Sequence, residues 1–184
     1  MIGDTSLNIY NAVAANFYQR FGLSLASMSN ESPVLNTKDL LQETTLPIEV
    51  TVHGAPVVMY MSHDLYENIK VSEAIPHAER KYRDKDVLVL IDDKGQEHPI
   101  YKDHKGNNHM LLTKELCYLP LLKELRDLGA TSFKIEGCNY DSKTLKHIIK
   151  TYQKAISQLN NDEDMLNELN YEHLGFTLGA MQYN

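Results

Sequence analysis

Apolar and polar residues alternate along two segments of the chain with the period of a β-strand. In Ile48-Glu-Val-Thr-Val-His-Gly54, the apolar residues Ile48, Val50 and Val52 fall on one face, and Glu49, Thr51 and His53 fall on the other. In Thr131-Ser-Phe-Lys-Ile-Glu-Gly137, Phe133 and Ile135 alternate with Lys134 and Glu136. Ahead of the first segment the period changes twice. Gly3 to Asn8 reads as a strand. Tyr10 to Phe21 reads as a helix with Val13, Ala14, Phe17 and Phe21 on one face, stopped by Gly22. Leu23 to Met28 is a short strand, and Lys38 to Gln42 a short helix with Asn36 or Thr37 as its N-cap. The order βαβαβ is the signature of a parallel sheet, so the pattern predicts an α/β fold.

Beyond Gly54 the pattern loosens. Val57 to Met61 is apolar and extends into a further strand, whereas Asp64 to Lys85 is an irregular, charged insertion containing Pro76. Residues 86–91, 97–101 and 109–112 read as an antiparallel meander spanning about 86–112. Its turns fall at Asp93-Lys-Gly95 and Lys105-Gly-Asn107, where glycine beside polar residues suits tight hairpins. Thr113 caps a predicted helix that runs to Leu128 and breaks at Pro120. A strand over 131–136 and a helix over 141–159, capped by Asp141 or Ser142, complete a domain predicted to span residues 1–159. Residues 160–184 read as a C-terminal tail, whose polar and acidic part at 160–172 has the composition of a mobile segment. No internal repeat stands out.

Composition narrows the function classes. The chain has 184 residues, enough for one domain with a real core, and 42% of them are hydrophobic. A formal net charge of −7 argues against a broad nucleic-acid footprint, which needs clustered lysine and arginine. The small basic run at Lys81, Arg83 and Lys85 reads as a solvated loop. Residues 1–20 lack the basic start and apolar stretch of a signal peptide, and no apolar run is long enough to cross a membrane. Two cysteines, Cys117 and Cys138, make no disulfide framework. The default expectation is a cytoplasmic protein without a membrane partner.

Glu49, His53, Lys134 and Glu136 form the candidate catalytic group. If the two strands share one sheet, the four converge near its C-terminal end, where α/β folds place their ligands. A carboxylate beside lysine or histidine can do general acid–base work, and it can equally form an internal ion-pair network that only fills space. Ser62-His63-Asp64 spells the letters of a catalytic triad, but consecutive side chains diverge, and a turn is the better reading. His98, His104 and His109 are spread across turns without metal-ligand spacing and read as surface residues. No metal is expected.

Taken in order, these segments resemble the collagenase-like peptidase family of unassigned catalytic type. The resemblance is carried by Glu49-Val-Thr-Val-His-Gly-Ala55, by Leu116-Cys117, and by Gly129-Ala-Thr-Ser-Phe-Lys-Ile-Glu-Gly137. Asp4-Thr-Ser-Leu-Asn-Ile-Tyr-Asn11 is similar to the family's opening strand and helix. Asp92-Asp-Lys-Gly95 and Pro99-Ile-Tyr-Lys-Asp103 are similar to its hairpin. Together they cover residues 3–157. The resemblance implies a partial TIM-barrel-like parallel sheet with helices, corresponding to the C-terminal part of a longer domain whose first strands would precede Gly3.

For activity the resemblance implies peptide-bond hydrolysis. Other branches of the family support hydroxylation of RNA bases, including the wobble uridine of transfer RNA, and work as pairs of paralogues. Many relatives hold an iron–sulfur cluster on four cysteines. Two of those positions are Val57 and Asp64 here, the third region, near 78–83, has no cysteine, and Cys117 alone is retained. The expectation is a chain without a cluster. Cys138 stands where relatives carry arginine, which weakens a transfer of activity. Three readings follow: a peptidase, a non-catalytic member of an RNA-modifying pair acting on tRNA or rRNA, and a structural protein that keeps a binding surface. A sheet missing its first strands leaves open edges, so a homodimer or a complex with a paralogue is expected.

Overall fold

The computed structural model describes residues 1–68, 87–158, 164–171 and 175–183. The basic run at Lys81, Arg83 and Lys85, the third cluster region and most of the charged insertion lie outside them. The chain divides into two units, Met1–Gly54 with Glu115–Asn184, and Ala55–Lys114.

The larger unit opens with β1 (Ile2–Gly3). Alternation alone predicts a strand to Asn8, but Asp4 ends it. Its carboxylate accepts the Thr5 amide at 2.8 Å, and a 3-10 turn over Thr5–Leu7 follows. Local side-chain bonding of this kind competes with a sheet ladder. The helix α1 (Ala12–Arg20) starts at Asn11, whose side chain accepts the Ala14 amide at 2.9 Å. It is followed by β2 (Leu25–Ser27) and α2 (Val34–Glu43). α2 begins four residues earlier than predicted because Pro33 takes the cap position. Thr37 is buried within it instead of capping it.

Next comes β3 (Ile48–Gly54), the strand predicted from alternation. Ile48, Val50 and Val52 are at most 1% exposed. Its other face is also covered, and Thr51 and His53 are buried.

The smaller unit consists of β4 (Val57–Met61), α3 (Leu65–Asn68), β5 (Leu88–Ile91), β6 (Glu97–Lys102) and β7 (Asn108–Leu111). It contains the predicted meander, joined by β4 in an antiparallel sheet of order β4-β7-β6-β5. Both hairpin turns use one device. Asp92 accepts the amides of Lys94 and Gln96 and reaches His98 Nε2 at 3.3 Å. Asp103 accepts the amides of Lys105 and Asn107 and reaches His109 Nε2 at 3.1 Å. Asp-x-Lys-Gly-x-x-His is therefore a short internal repeat that the sequence reading does not register. It also gives His98 and His109 structural partners.

The predicted helix Thr113–Leu128 is not one helix, and from Glu115 the chain is back in the larger unit. It forms β8 (Glu115–Cys117), a 3-10 turn at Leu119–Leu121 around Pro120, and α4 (Leu122–Asp127). Cys117 thus lies on a strand. β8 pairs antiparallel with β3, His53 opposite Cys117. β9 (Ser132–Glu136) and α5 (Ser142–Gln158) follow as predicted, and Asp141 accepts the amides of Lys143 and Thr144. The described part of 160–184 contributes α6 (Asp164–Glu168) and β10 (Phe176–Thr177). β10 pairs with β8, and Leu169 and Met181 belong to the same core as Ile48 and Val52. Composition points to a tail here because two short apolar anchors are diluted among polar residues.

The result is a mixed α/β architecture. β1, β2, β3 and β9 run parallel, β8 and β10 extend the sheet beside the end of β3, and a separate sheet is antiparallel. The described strands do not close into a barrel.

β3 and β9 approach tightly at Gly54. Its φ is +124°, and a Cβ there would lie 2.6 Å from the carbonyl oxygen of Glu136. Both the backbone conformation and the space require glycine. Gly54→Ala is expected to cost about 1–3 kcal/mol of stability, read as a lowered midpoint in urea unfolding.

Candidate functional site

Lys134 of β9 lies beside Thr51 of β3 in the parallel register, and Ser132 lies beside Glu49. β2 brings Ser27 beside Glu49 from the other side. Residues paired across a sheet point to the same face, so one polar surface spans three strands. Ser27 donates to Glu49 Oε1 at 2.6 Å, and Ser132 donates to Oε2 at 3.3 Å. Lys134 Nζ sits 2.8 Å from Glu136 Oε1 and 2.9 Å from Asp4 Oδ1. Thr51 Oγ1 is buried beneath this surface without a hydrogen-bond partner. Such an orphan is costly and marks a place where the surface is not self-sufficient.

The protonation of this cluster is set by its ion pairs. Burial by itself favours the neutral amine of Lys134, but the hydrogen bonds and charges of Glu136 and Asp4 outweigh it and hold the lysine above its ordinary range. The Lys134 ammonium, helped by the Thr5 amide, holds Asp4 below the usual carboxylate value. Lys134 is therefore a fixed cation at neutral pH. It can donate hydrogen bonds and stabilise developing negative charge, but it cannot act as a general base there.

His53 does not join this group. The register shifts between Thr51 and His53, so His53 pairs with Ile135 and not with Lys134 or Glu136. An irregularity in a ladder reverses the face of every residue beyond it. The sequence expectation that all four candidates share one face is corrected here. Glu49, Lys134 and Glu136 lie on one side, and His53 turns into the core on the other.

There His53 is 0% exposed and is the hub of an aromatic cluster. Its Nε2 lies 2.8 Å from Tyr171 Oη, and its Nδ1 lies 3.1 Å from Tyr152 Oη. Tyr171 and Tyr140 both donate to Glu115 Oε2, the latter at 2.6 Å. Tyr152 lies 2.8 Å from the Val52 carbonyl oxygen and 3.6 Å from Cys117 Sγ. Burial, reinforced by the Glu115 charge, pushes the hydroxyls of Tyr140 and Tyr171 far up, and burial does the same for Tyr152. All three tyrosines are kept as neutral donors. The sequence reading misses them because β8 reads as helix and 160–184 as tail. Tyr152 carries one legible signal, its place on the apolar stripe of α5 with Ile148 and Ala155.

The iron–sulfur cluster implied by the resemblance does not fit these residues. Val57 has no donor atom, and Asp64 is ion-paired with Lys102. Burial pushes the Cys117 thiol up, away from the thiolate that both a cluster and a nucleophile need. Among the described residues no group of three or more histidine, cysteine or carboxylate side chains is arranged to hold a metal.

Two expectations follow. Tyr152→Phe removes the hydroxyl's hydrogen bond to the Val52 carbonyl, which keeps the Tyr118 amide as a donor, and is expected to cost about 0.5–1.5 kcal/mol in denaturant unfolding. The second is a pH effect. The folded value for Asp4 lies below 3.8, so its contribution to stability is present above that pH and is lost as pH falls through the lowered value. Lys134 contributes below 10.5, and that contribution is lost as pH rises through its raised value. Lys134→Met should return the Asp4 midpoint towards 3.8 in a carboxyl NMR titration.

The family model described as Peptidase family U32 matches residues 2–175. The chain is similar to the "tRNA hydroxylation protein P2" of Bacillus subtilis (strain 168), with 24% identity over 155 residues. That span is 84% of this chain and 50% of the relative. The chain thus spans about half the length of the curated relative it matches. No solved structure matches significantly. Among the described residues no helix is long and apolar enough to cross a membrane. With the family model matching residues 2–175, nearly the whole chain, the chain belongs to peptidase family U32.

Proposed function

We propose that the chain is a non-catalytic, accessory member of a tRNA base-hydroxylation system. The observation that carries this reading is the similarity to the tRNA hydroxylation protein, which extends over 84% of the chain. The donor set supports the accessory role. Cys117 is kept as a buried thiol and Val57 cannot bind iron, so cluster chemistry is left to another chain. The polar surface around Lys134, with Glu49, Glu136 and Asp4, is the part of the larger unit suited to contact a substrate or a partner's site. Lys134 acts there as a charge and hydrogen-bond donor. The chain works assembled with another chain, its own copy or a paralogue, in the cytoplasm where transfer RNA is modified.

The family's name points to peptide-bond hydrolysis. Neither Lys134, held protonated, nor Cys117, held as the thiol, supplies the activated base or nucleophile of that chemistry.

Deleting the gene and measuring tRNA nucleosides by mass spectrometry tests the reading. The expected outcome is a fall in hydroxylated uridine, restored by the wild-type gene and not by Lys134→Met. An unchanged nucleoside profile would overturn it. The accessory role has its own test, since protein purified without oxygen should be colourless and free of stoichiometric iron. A brown protein with bound iron would show that this chain carries the cluster itself.

A further inference from the structure

α1 turns its apolar stripe outward. Ala12 and Ala15 are its buried residues, while Asn16 and Gln19 accept hydrogen bonds from Thr44 and Thr45, just after α2. On the remaining side Val13 is 79% exposed, Phe17 53% and Phe21 68%. The Phe17 and Phe21 rings touch at 4.8 Å between centroids. Met1, 80% exposed, extends this surface, because its amino group lies 3.4 Å from the carbonyl oxygen of Gly22, the residue next to Phe21. Beside it, β1 is the end strand of its sheet among the described strands. Side chains of this size and exposure amount to roughly 500 Å² of apolar surface, at the upper end of what a lone soluble protein leaves in one patch.

We infer that this surface is the contact between two copies of the chain, with α1 packed antiparallel on α1 of the second copy about a two-fold axis at Phe17. The spacing carries the choice of occupant. Val13, Phe17 and Phe21 recur at every fourth position, symmetric about Phe17. An antiparallel copy therefore sets the large Phe21 against the smaller Val13, twice, and Phe17 against its own equivalent, as a closed two-fold interface requires. The charges agree. The helix Ala12–Arg20 contains no carboxylate, and its one formal charge, Arg20, falls opposite Ala14 and not opposite the other Arg20. In a chain of net charge −7, this face brings no acidic groups of the two copies together. Two such patches bury about 1,000 Å², the area at which specific interfaces begin. The inference stands apart from the RNA reading, since it concerns which chain covers α1 and not what the assembly modifies.

Light scattering on a size-exclusion column tests it with the full chain. Wild type should elute as a dimer at tens of micromolar. Phe17→Glu and, separately, Val13→Arg should give folded monomers with unchanged far-ultraviolet circular dichroism. A second measurement does not depend on how these variants fold. In a Cys138→Ser background, Phe17→Cys should cross-link between chains with a short bismaleimide, while Cys117 stays buried and unreactive. A wild-type monomer overturns the inference. So does a dimer that survives both charge variants, or a Phe17→Cys protein that cross-links only to a different polypeptide.

Discussion

The structure depends on β3 being buried at every position except the half-buried Glu49 while carrying polar side chains at alternate positions. It is hydrogen-bonded to β2, β9 and β8, so no edge of it faces water, and its backbone is satisfied by neighbouring strands. Its side chains have no such guarantee. Each polar group must find a partner inside the protein or cost folding energy. Glu49 takes two serines from the flanking strands, and His53 takes two tyrosines from distant parts of the chain. Thr51 takes none. Much of the larger unit can be read as the set of elements that bring these partners to one strand.

The ladder irregularity ahead of His53 divides that task between two faces. Without it, the imidazole would join Lys134 and Glu136 and compete for the same carboxylates. With it, the histidine locks α5, β8 and the segment around Tyr171 together, and the lysine remains on a polar surface with a fixed charge. The histidine serves the fold, and the lysine and its carboxylates form a partly exposed ion-paired surface.

Several elements were legible in the sequence because one local signal dominated each. Alternation revealed β3 and β9, Asp141 marked the start of α5, and glycine-bearing turns located the meander. Of the site, Glu49, Lys134 and Glu136 could be read as neighbours from alternation and parallel pairing. The placement of His53 could not, because a one-residue shift in a ladder leaves no compositional trace. β8 was hidden by its length, since three residues beside Pro120 look like the first turn of a helix. The helix α1 shows a further limit. Its apolar stripe is visible in the sequence, but periodicity cannot say whether a stripe faces the core or a second chain.

The aromatic hub has a kinetic consequence. His53 is joined to Tyr152 and Tyr171 across 99 and 118 residues of chain, whereas each Asp–His contact of the hairpins closes across six. Short loops close in well under a microsecond, while long-range contacts carry the largest closure entropy and set the pace of folding. The hairpins can therefore form while the larger unit is still unassembled, and the hub is completed only when the segment around Tyr171 arrives. On the ribosome, Tyr171 emerges more than a hundred residues after His53. Until then the hub around His53 is incomplete, which makes docking of the segment around Tyr171 the step that commits this part of the fold.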